Sequence, residues 1–489
     1  MQESPFFLTV RGLSEQLSSG AISSVELTQA YLDRADELDV PPFELPNEPR
    51  SDHEGKLATM VTIAREQALE AAEQADREFA AGQRRSILHG IPYGVKDLLD
   101  TTGIRTTWGS RIFMDRVPDR NATVIEKLQD SGAVLMAKMS LGEFAGGNTS
   151  TALNPWKLDR TSFGSSSGTV AAAVAGLIGF GIGTETGGSI VFPASAVGAS
   201  GLRPTFGRVS RFGCMALSWS LDKIGPVGRC AEDCGLILEQ IAGRDERDNS
   251  TVDRAFSFRS DPGEMRGRRL GVHRAEFELS QSETTRRVFQ EALDVFERMG
   301  VIIEDITLPV RPTGALFTTI VTVESGTNFA ALFEDGSVDQ MFSFNEDRRA
   351  GWMAGRMMPA ADYLTAQRIR NQLTREADEI VGRYDAVIAP TWPNGAALRE
   401  VSEGWPIPAR NEWEPPGDSD IRIPRLNSIA NLVGHPGLAI PCGFDEDGLP
   451  LSLQIVGSAW GEQRILDLGM AFQAETDWHL RRPQYPWRV

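Results

Sequence analysis

Apolar and polar positions along the chain repeat with two periods, and the two alternate. Leu27, Tyr31 and Ala35 share one helix face, which Ser23-Ser24-Val25-Glu26 opens in the manner of a capping box. Pro41, Pro42, Pro46 and Pro49 then predict a loop. A second helix carries Ala64, Ala68, Ala72, Ala75 and Phe79 on one side and stops at Gly82. Tyr93-Gly94-Val95-Lys96 ends a short strand. Val124, Ile125 and Leu128 mark a helix closed by Gly132, and Val134 to Ala137 is a strand. Thr169 to Val174 reads as a buried helix. Leu270 to Val272 and Val301 to Ile303 are strands around a helix bearing Val288, Ala292, Phe296 and Met299 and ended by Gly300. Ala386 to Ala389 and Leu453 to Val456 add two more strands. Strands alternating with helices predict an α/β fold on a largely parallel, buried sheet.

One region breaks the alternation. Residues 402–418 hold Trp405, Pro406, Pro408, Trp413, Pro415 and Pro416. They predict an irregular excursion, and long irregular loops in enzymes often serve as lids. No internal repeat and no low-complexity linker is present.

Composition narrows the functional classes. With 41% hydrophobic and 24% charged residues, 489 residues can build a sizeable core. Length alone gives about three domains, or one unusually large one. A net charge of -18 argues against nucleic acid and against an anionic membrane surface. The longest apolar run, Val170 to Gly183, is too short and too rich in Gly and Ala to span a bilayer. The four cysteines, Cys214, Cys230, Cys234 and Cys442, form no C-x-x-C pair, and Cys230 and Cys234 suit adjacent helical turns. With no basic region ahead of an apolar stretch at the N-terminus, the expected location is the cytoplasm.

The chemistry gathers in one glycine-rich block. Lys96 lies in Gly94-Val95-Lys96-Asp97, Ser165 in Gly164-Ser165-Ser166-Ser167-Gly168, and Ser189 in Thr186-Gly187-Gly188-Ser189. A lysine and two serines can pass a proton to a nucleophilic hydroxyl without histidine or metal, which suits acyl transfer. Gly187 and Gly188 let successive N–H groups converge on one spot, as an oxyanion hole requires. A lysine closing an apolar strand is costly unless paired or neutral. Each element also has a plainer reading: a tight turn, a helix cap, and a salt bridge from Lys96 to Asp97. His53, His89, His273, His435 and His479 fall in no metal or triad spacing, and the Walker pattern is absent.

Together these segments closely resemble the amidase signature family, whose pattern runs from a lysine in G-V-K-D, through a G-G-S-S-G-G-S-like loop, to T-D-T-G-G-S-I-R. The likeness is densest from Gly90 to Asp248. It continues through Gly201 to Ser210 and Leu221 to Pro226, and returns at Tyr384-Asp385, Pro390-Thr391, Gly434 to Gly437 and Gln454 to Gly457. The resemblance implies α/β/α layers around a large twisted mixed β-sheet. It implies one domain over 1–489, with a helical segment at about 1–85 and the signature core at about 86–250. Ser189 would be the nucleophile, Ser165 a bridging serine joined to Ser166 by a cis peptide, and Lys96 the neutral base. Backbone N–H groups of Thr186, Gly187, Gly188 and Ser189 would form the oxyanion hole. No cofactor and no metal are implied.

The chain departs from the pattern at four positions. Phe163 and Ser167 replace glycines, Glu185 replaces aspartate, and Val191 replaces the arginine that partners that acid in the family. Arg203 is a candidate replacement partner. Phe163 and Gly164, with Trp352 and Trp405, are the expected substrate contacts. Met353, Met357, Met358 and Trp413 add to an apolar wall. The favoured reading is therefore a free hydrolase acting on a hydrophobic small-molecule amide, aryl ester or carbamate, with no nucleic-acid or membrane partner and a homodimer left open. The alternative that shares every motif is the glutaminase subunit of a tRNA-dependent amidotransferase. A non-enzymatic binding module fits poorly with an intact lysine–serine–serine set.

Overall fold

The computed structural model describes residues 4–39, 55–146, 150–280, 282–342, 346–402, 405–408 and 423–485. Its strands are β1 (Met60–Ile63), β2 (Pro92–Lys96), β3 (Val134–Met139), β4 (Phe180–Glu185), β5 (Ser200–Arg203), β6 (Lys223–Gly228), β7 (Arg269–Val272), β8 (Ile302–Asp305), β9 (Ala386–Pro390), β10 (Arg399–Ser402), β11 (Trp405–Pro408), β12 (Gly437–Phe444) and β13 (Pro450–Val456). Eleven of them form one sheet in the order β1-β3-β2-β4-β6-β5-β12-β13-β9-β7-β8, and β10 pairs with β11 alone.

Every residue of β2, β3, β4 and β6 is buried, because helices cover both faces of the sheet. The result is the layered α/β/α arrangement. The helix Ser167–Ala175 (sequence SGTVAAAVA) is buried along its whole length and packs on β2 and β4. Small side chains permit that close approach. The helix Ala231–Ile241 packs on β5 and β6, with Cys230 at its N-cap and Cys234 buried within it. All four cysteines are free.

The helix Ser24–Leu38 opens with the predicted capping box: Glu26 N–H donates to Ser23 Oγ at 3.1 Å, and Ser23 N–H to Glu26 Oε2 at 2.8 Å. The expectation of a largely parallel sheet needs correction. The pairs β2–β3, β2–β4, β7–β8 and β7–β9 are parallel. The middle of the sheet, β4–β6–β5–β12–β13–β9, is antiparallel throughout. A hairpin contributes to this. Asp445 Oδ1 accepts from the N–H groups of Asp447 and Leu449, closing a tight turn at Gly448 that sends β13 back along β12. Among the described residues no helix is long and apolar enough to cross a membrane.

Candidate active site

Lys96 ends β2 with no side-chain exposure. Its Nζ lies 2.7 Å from Ser165 Oγ, 2.8 Å from Thr184 Oγ1 and 3.1 Å from Ser166 Oγ. All three are hydroxyls, so no carboxylate neutralises an ammonium there. Burial pulls the Lys96 pKa down to about 7, against weaker upward pulls from Cys214, Asp222 and Glu185. The plainer reading, a salt bridge to the adjacent Asp97, does not occur. Asp97 instead accepts from the Thr107 N–H and hydroxyl and faces Lys138 at 3.9 Å.

Ser166 locks this corner. Its hydroxyl donates to Thr184 O at 3.0 Å and accepts from Thr184 N–H at 3.3 Å, and its own N–H donates to Ser189 O at 3.2 Å. Ser165 and Ser189 are thereby drawn onto neighbouring loops. Gly164 adopts φ +55°, and a Cβ there would stand 2.8 Å from Pro193 Cδ and 3.4 Å from Ser189 Cα. Only glycine lets the serine loop lie against the turn that carries Ser189. Ser189 itself is half-buried, between the end of β4 and the helix Val191–Val197.

The turn before Ser189 is shaped by its glycines. Gly188 has φ +135°, and a Cβ on it would overlap the Phe192 ring at 2.4 Å. Among the described residues, the N–H groups of Gly187, Gly188 and Ser189 find no acceptor in the protein. They are unspent donors beside one hydroxyl. Thr186 is tied down at the turn's start: its hydroxyl donates to Asp222 Oδ1 at 2.7 Å.

Glu185 braces the turn from behind. Its Oε2 accepts from Ile190 N–H at 2.8 Å and Val191 N–H at 3.0 Å. Its Oε1 accepts from Arg203 Nη1 at 2.6 Å, with both side chains fully buried, and from Asn431 Nδ2 at 3.0 Å. Burial raises the Glu185 pKa, but Arg203 and Lys223 outweigh it and hold the carboxyl below its usual value. Arg203 thus supplies from β5 the cation that Val191 does not. It also donates to Asn427 Oδ1 at 2.9 Å, and Asn427 Nδ2 donates to Gly187 O at 3.1 Å.

The expected substrate contacts divide. Phe163, at φ +49°, is half-buried and lies 5.1 Å from the Trp392 ring, which in turn meets Phe192 at 5.4 Å. Gly164 and Phe163 line a small cleft with Ser162, Ser167 and Arg399. A second small cleft is lined by Thr184, Thr186, Cys214, Trp219 and Asp222 among others. Trp352 lines neither. It is 2% exposed and stacks on Phe329 at 4.5 Å within an aromatic core cluster that includes Phe144. Met353 and Met357 on the same helix are exposed. Trp405 lies on β11, while Trp413 and most of the expected lid fall outside the described residues. Sequence reasoning placed Thr184 in the motif around Ser189 without a role of its own, and passed over Trp392, Asn427, Asn431 and Arg399. Only Trp392, just after Pro390-Thr391, carried a signal that composition would pick out. Among the described residues no group of three or more His, Cys, Asp or Glu side chains is placed to hold a metal ion.

The sequence model of the Amidase family matches residues 50–466. The chain belongs to that family, the amidase signature enzymes. These are hydrolases of carbon–nitrogen bonds, and the resemblance drawn from the sequence motifs is correct. The A subunit of glutamyl-tRNA(Gln) amidotransferase from Roseiflexus sp. (strain RS-1) is 34% identical, with 98% of each chain covered. The solved A subunit of the Thermotoga maritima glutamyl-tRNA(Gln) amidotransferase is 26% identical, with a TM-score of 0.74, covering 100% of this chain and 98% of that one. The native peptide amidase from Stenotrophomonas maltophilia is 28% identical, with a TM-score of 0.77 and 98% of each chain covered.

These relatives overturn the expected partner set of a hydrophobic small molecule and no nucleic acid. The matching proteins are subunits of an enzyme named for a tRNA. The expectation rested on net charge, which describes one chain's surface and not what an assembly of several chains holds.

Proposed function

We propose that this chain is the amide-hydrolysing subunit of a tRNA-dependent amidotransferase, releasing ammonia from glutamine through an acyl-enzyme on Ser189. The observation that carries the reading is the end-to-end match to amidotransferase A subunits, 98% of each chain at 34% identity. The site geometry supplies a mechanism. Neutral Lys96 takes the Ser165 proton across 2.7 Å, Ser165 takes the Ser189 proton, and Ser189 Oγ attacks the amide carbon. The carbonyl oxygen becomes an oxyanion facing the unspent N–H groups of Gly187, Gly188 and Ser189. The proton returns along the same path to the leaving nitrogen, which departs as ammonia. Water then repeats the sequence on the ester and frees the acid.

Ser189 Oγ makes no hydrogen bond among the described residues. Catalytic hydrogen bonds are often long before substrate binds, so the Ser165–Ser189 link is expected to close on the bound amide. The test is ammonia release from glutamine by the full chain, by itself and with the remaining amidotransferase subunits. The reading requires glutamine turnover that rises when the other subunits and glutamyl-tRNA are present. An aromatic anilide hydrolysed with higher kcat/KM than glutamine, and no response to those subunits, would overturn it.

A further inference from the structure

The cleft beside the serine loop holds polar groups that the mechanism leaves unused. Segment 397–399 runs antiparallel to 159–161: Thr161 N–H donates to Ala397 O at 2.9 Å, and Arg399 N–H to Asp159 O at 2.8 Å. This pairing brings Arg399 into the cleft with Thr161, Ser162, Phe163, Gly164 and Ser167. The Arg399 guanidinium is half-buried, and among the described residues no carboxylate pairs with it and no carbonyl accepts from it. The charged residues on the paired strand segment are engaged elsewhere: Arg160 reaches Asp447 at 3.1 Å and Asp159 at 3.6 Å. Burial with no compensating anion pulls the Arg399 pKa down to about 10.

The hydroxyls that line the same cleft are also unmatched. Ser162 is 3% exposed and Ser167 1% exposed, and neither hydroxyl has a hydrogen-bond partner, nor does that of Thr161. Buried polar atoms are nearly always satisfied, so three orphans sharing one cleft with an unpaired guanidinium point to a ligand as the missing partner. Ser167 stands where the family pattern has glycine, so this hydroxyl is a departure of this chain from the pattern. The cleft also adjoins the nucleophile, since its lining residue Gly164 lies against Ser189.

We propose that this cleft is a carboxylate-binding subsite, in which Arg399 and the hydroxyls of Ser162 and Ser167 hold an anionic group of the amide substrate while its carbonyl lies at Ser189. The inference rests on the reading of Ser189 as an amide-cleaving nucleophile, and it names the substrate class: amides that also carry a carboxylate, of which glutamine is one. A guanidinium fork suits a planar carboxylate, and the serines complete its lone pairs.

The test compares amides matched in shape but not in charge. kcat/KM is measured on the full chain for succinamate and for succinamide, in the wild type and in Arg399→Met and Arg399→Lys. Labelling of Ser189 by a fluorophosphonate reports that each variant is folded. Loss of a hydrogen bond to a charged group corresponds to roughly 10–100-fold in affinity. The wild type is therefore expected to favour succinamate by at least about tenfold. Arg399→Met should bring the ratio to about one, and Arg399→Lys should restore part of it. A wild-type ratio near one, or a ratio unmoved in a labelling-competent Arg399→Met, would overturn the subsite. Failure of the chain to cleave glutamine while the succinamate preference holds would overturn the glutaminase reading and leave the subsite standing.

Discussion

Lys96 shows how one residue's surroundings set its chemistry. Its Nζ is fully buried among the hydroxyls of Ser165, Ser166 and Thr184, with the nearest acids acting only from a distance. A lysine in water is protonated at neutral pH. Here burial brings the pKa to about 7, so a large share of the amine is free to accept a proton. The sign follows directly. In the proposed relay Lys96 works as a neutral base, so activity should climb with pH up to about 7, fall about tenfold per unit below it, and level off above it. Lys96→Met should reduce the rate at neutral pH by about 10²–10⁴-fold and flatten that profile. Its melting temperature should not fall, because replacing a buried ionisable group by an apolar one of similar volume is often neutral or stabilising. A pH–rate profile in the variant that kept the wild-type slope would assign Lys96 a structural role alone.

The turn between β4 and the helix Val191–Val197 is the element that shapes the site. Gly188 at φ +135° sits where a side chain is strained, and a Cβ would overlap Phe192. Gly188→Ala should therefore move the N–H groups beside Ser189 and lower kcat. Losing one oxyanion donor typically costs about 10²–10³-fold. KM should change little, because the donors act on charge that develops after binding. Steady-state kinetics on the purified variant decide this, and a change confined to KM would contradict it. Much of this element was legible in the chain, since paired glycines before a serine announce a turn with exposed donors. The brace behind it was legible as a candidate. Glu185 follows from the motif and Arg203 was its candidate partner, and the fold brings the two together at 2.6 Å across sequence. The mixed sheet that the family resemblance implies is present, whereas helix–strand alternation by itself misses the antiparallel centre for a similar reason. Helix–strand alternation reports connection length, whereas strand direction depends on turns such as the one at Gly448. Trp352 shows the opposite error. A large apolar residue outside the signature reads equally well as pocket wall or core, and only its stacking on Phe329 tells them apart.

At the scale of the whole molecule, the sheet gathers the proposed catalytic set from distant parts of the chain. β2 brings Lys96 and β4 leads to Ser189, and the two pair in parallel, so their C-terminal ends lie side by side. The helix Ser167–Ala175 crosses between them and presents Ser165 just ahead of its N-terminus. A ligand at the carboxyl ends of adjacent parallel strands is the usual outcome of such a topology. The acidic surface bears on solubility and encounter, and says nothing about this internal arrangement. The central claim is that these three residues form one relay ending on Ser189. Incubation of the full chain with a fluorophosphonate, followed by peptide mapping by mass spectrometry, tests it most directly. The account predicts one adduct, on Ser189, forming at a rate that rises with pH through about 7 and collapses in Lys96→Met. An adduct on another residue, or labelling of Ser189 that is indifferent to Lys96, would contradict it.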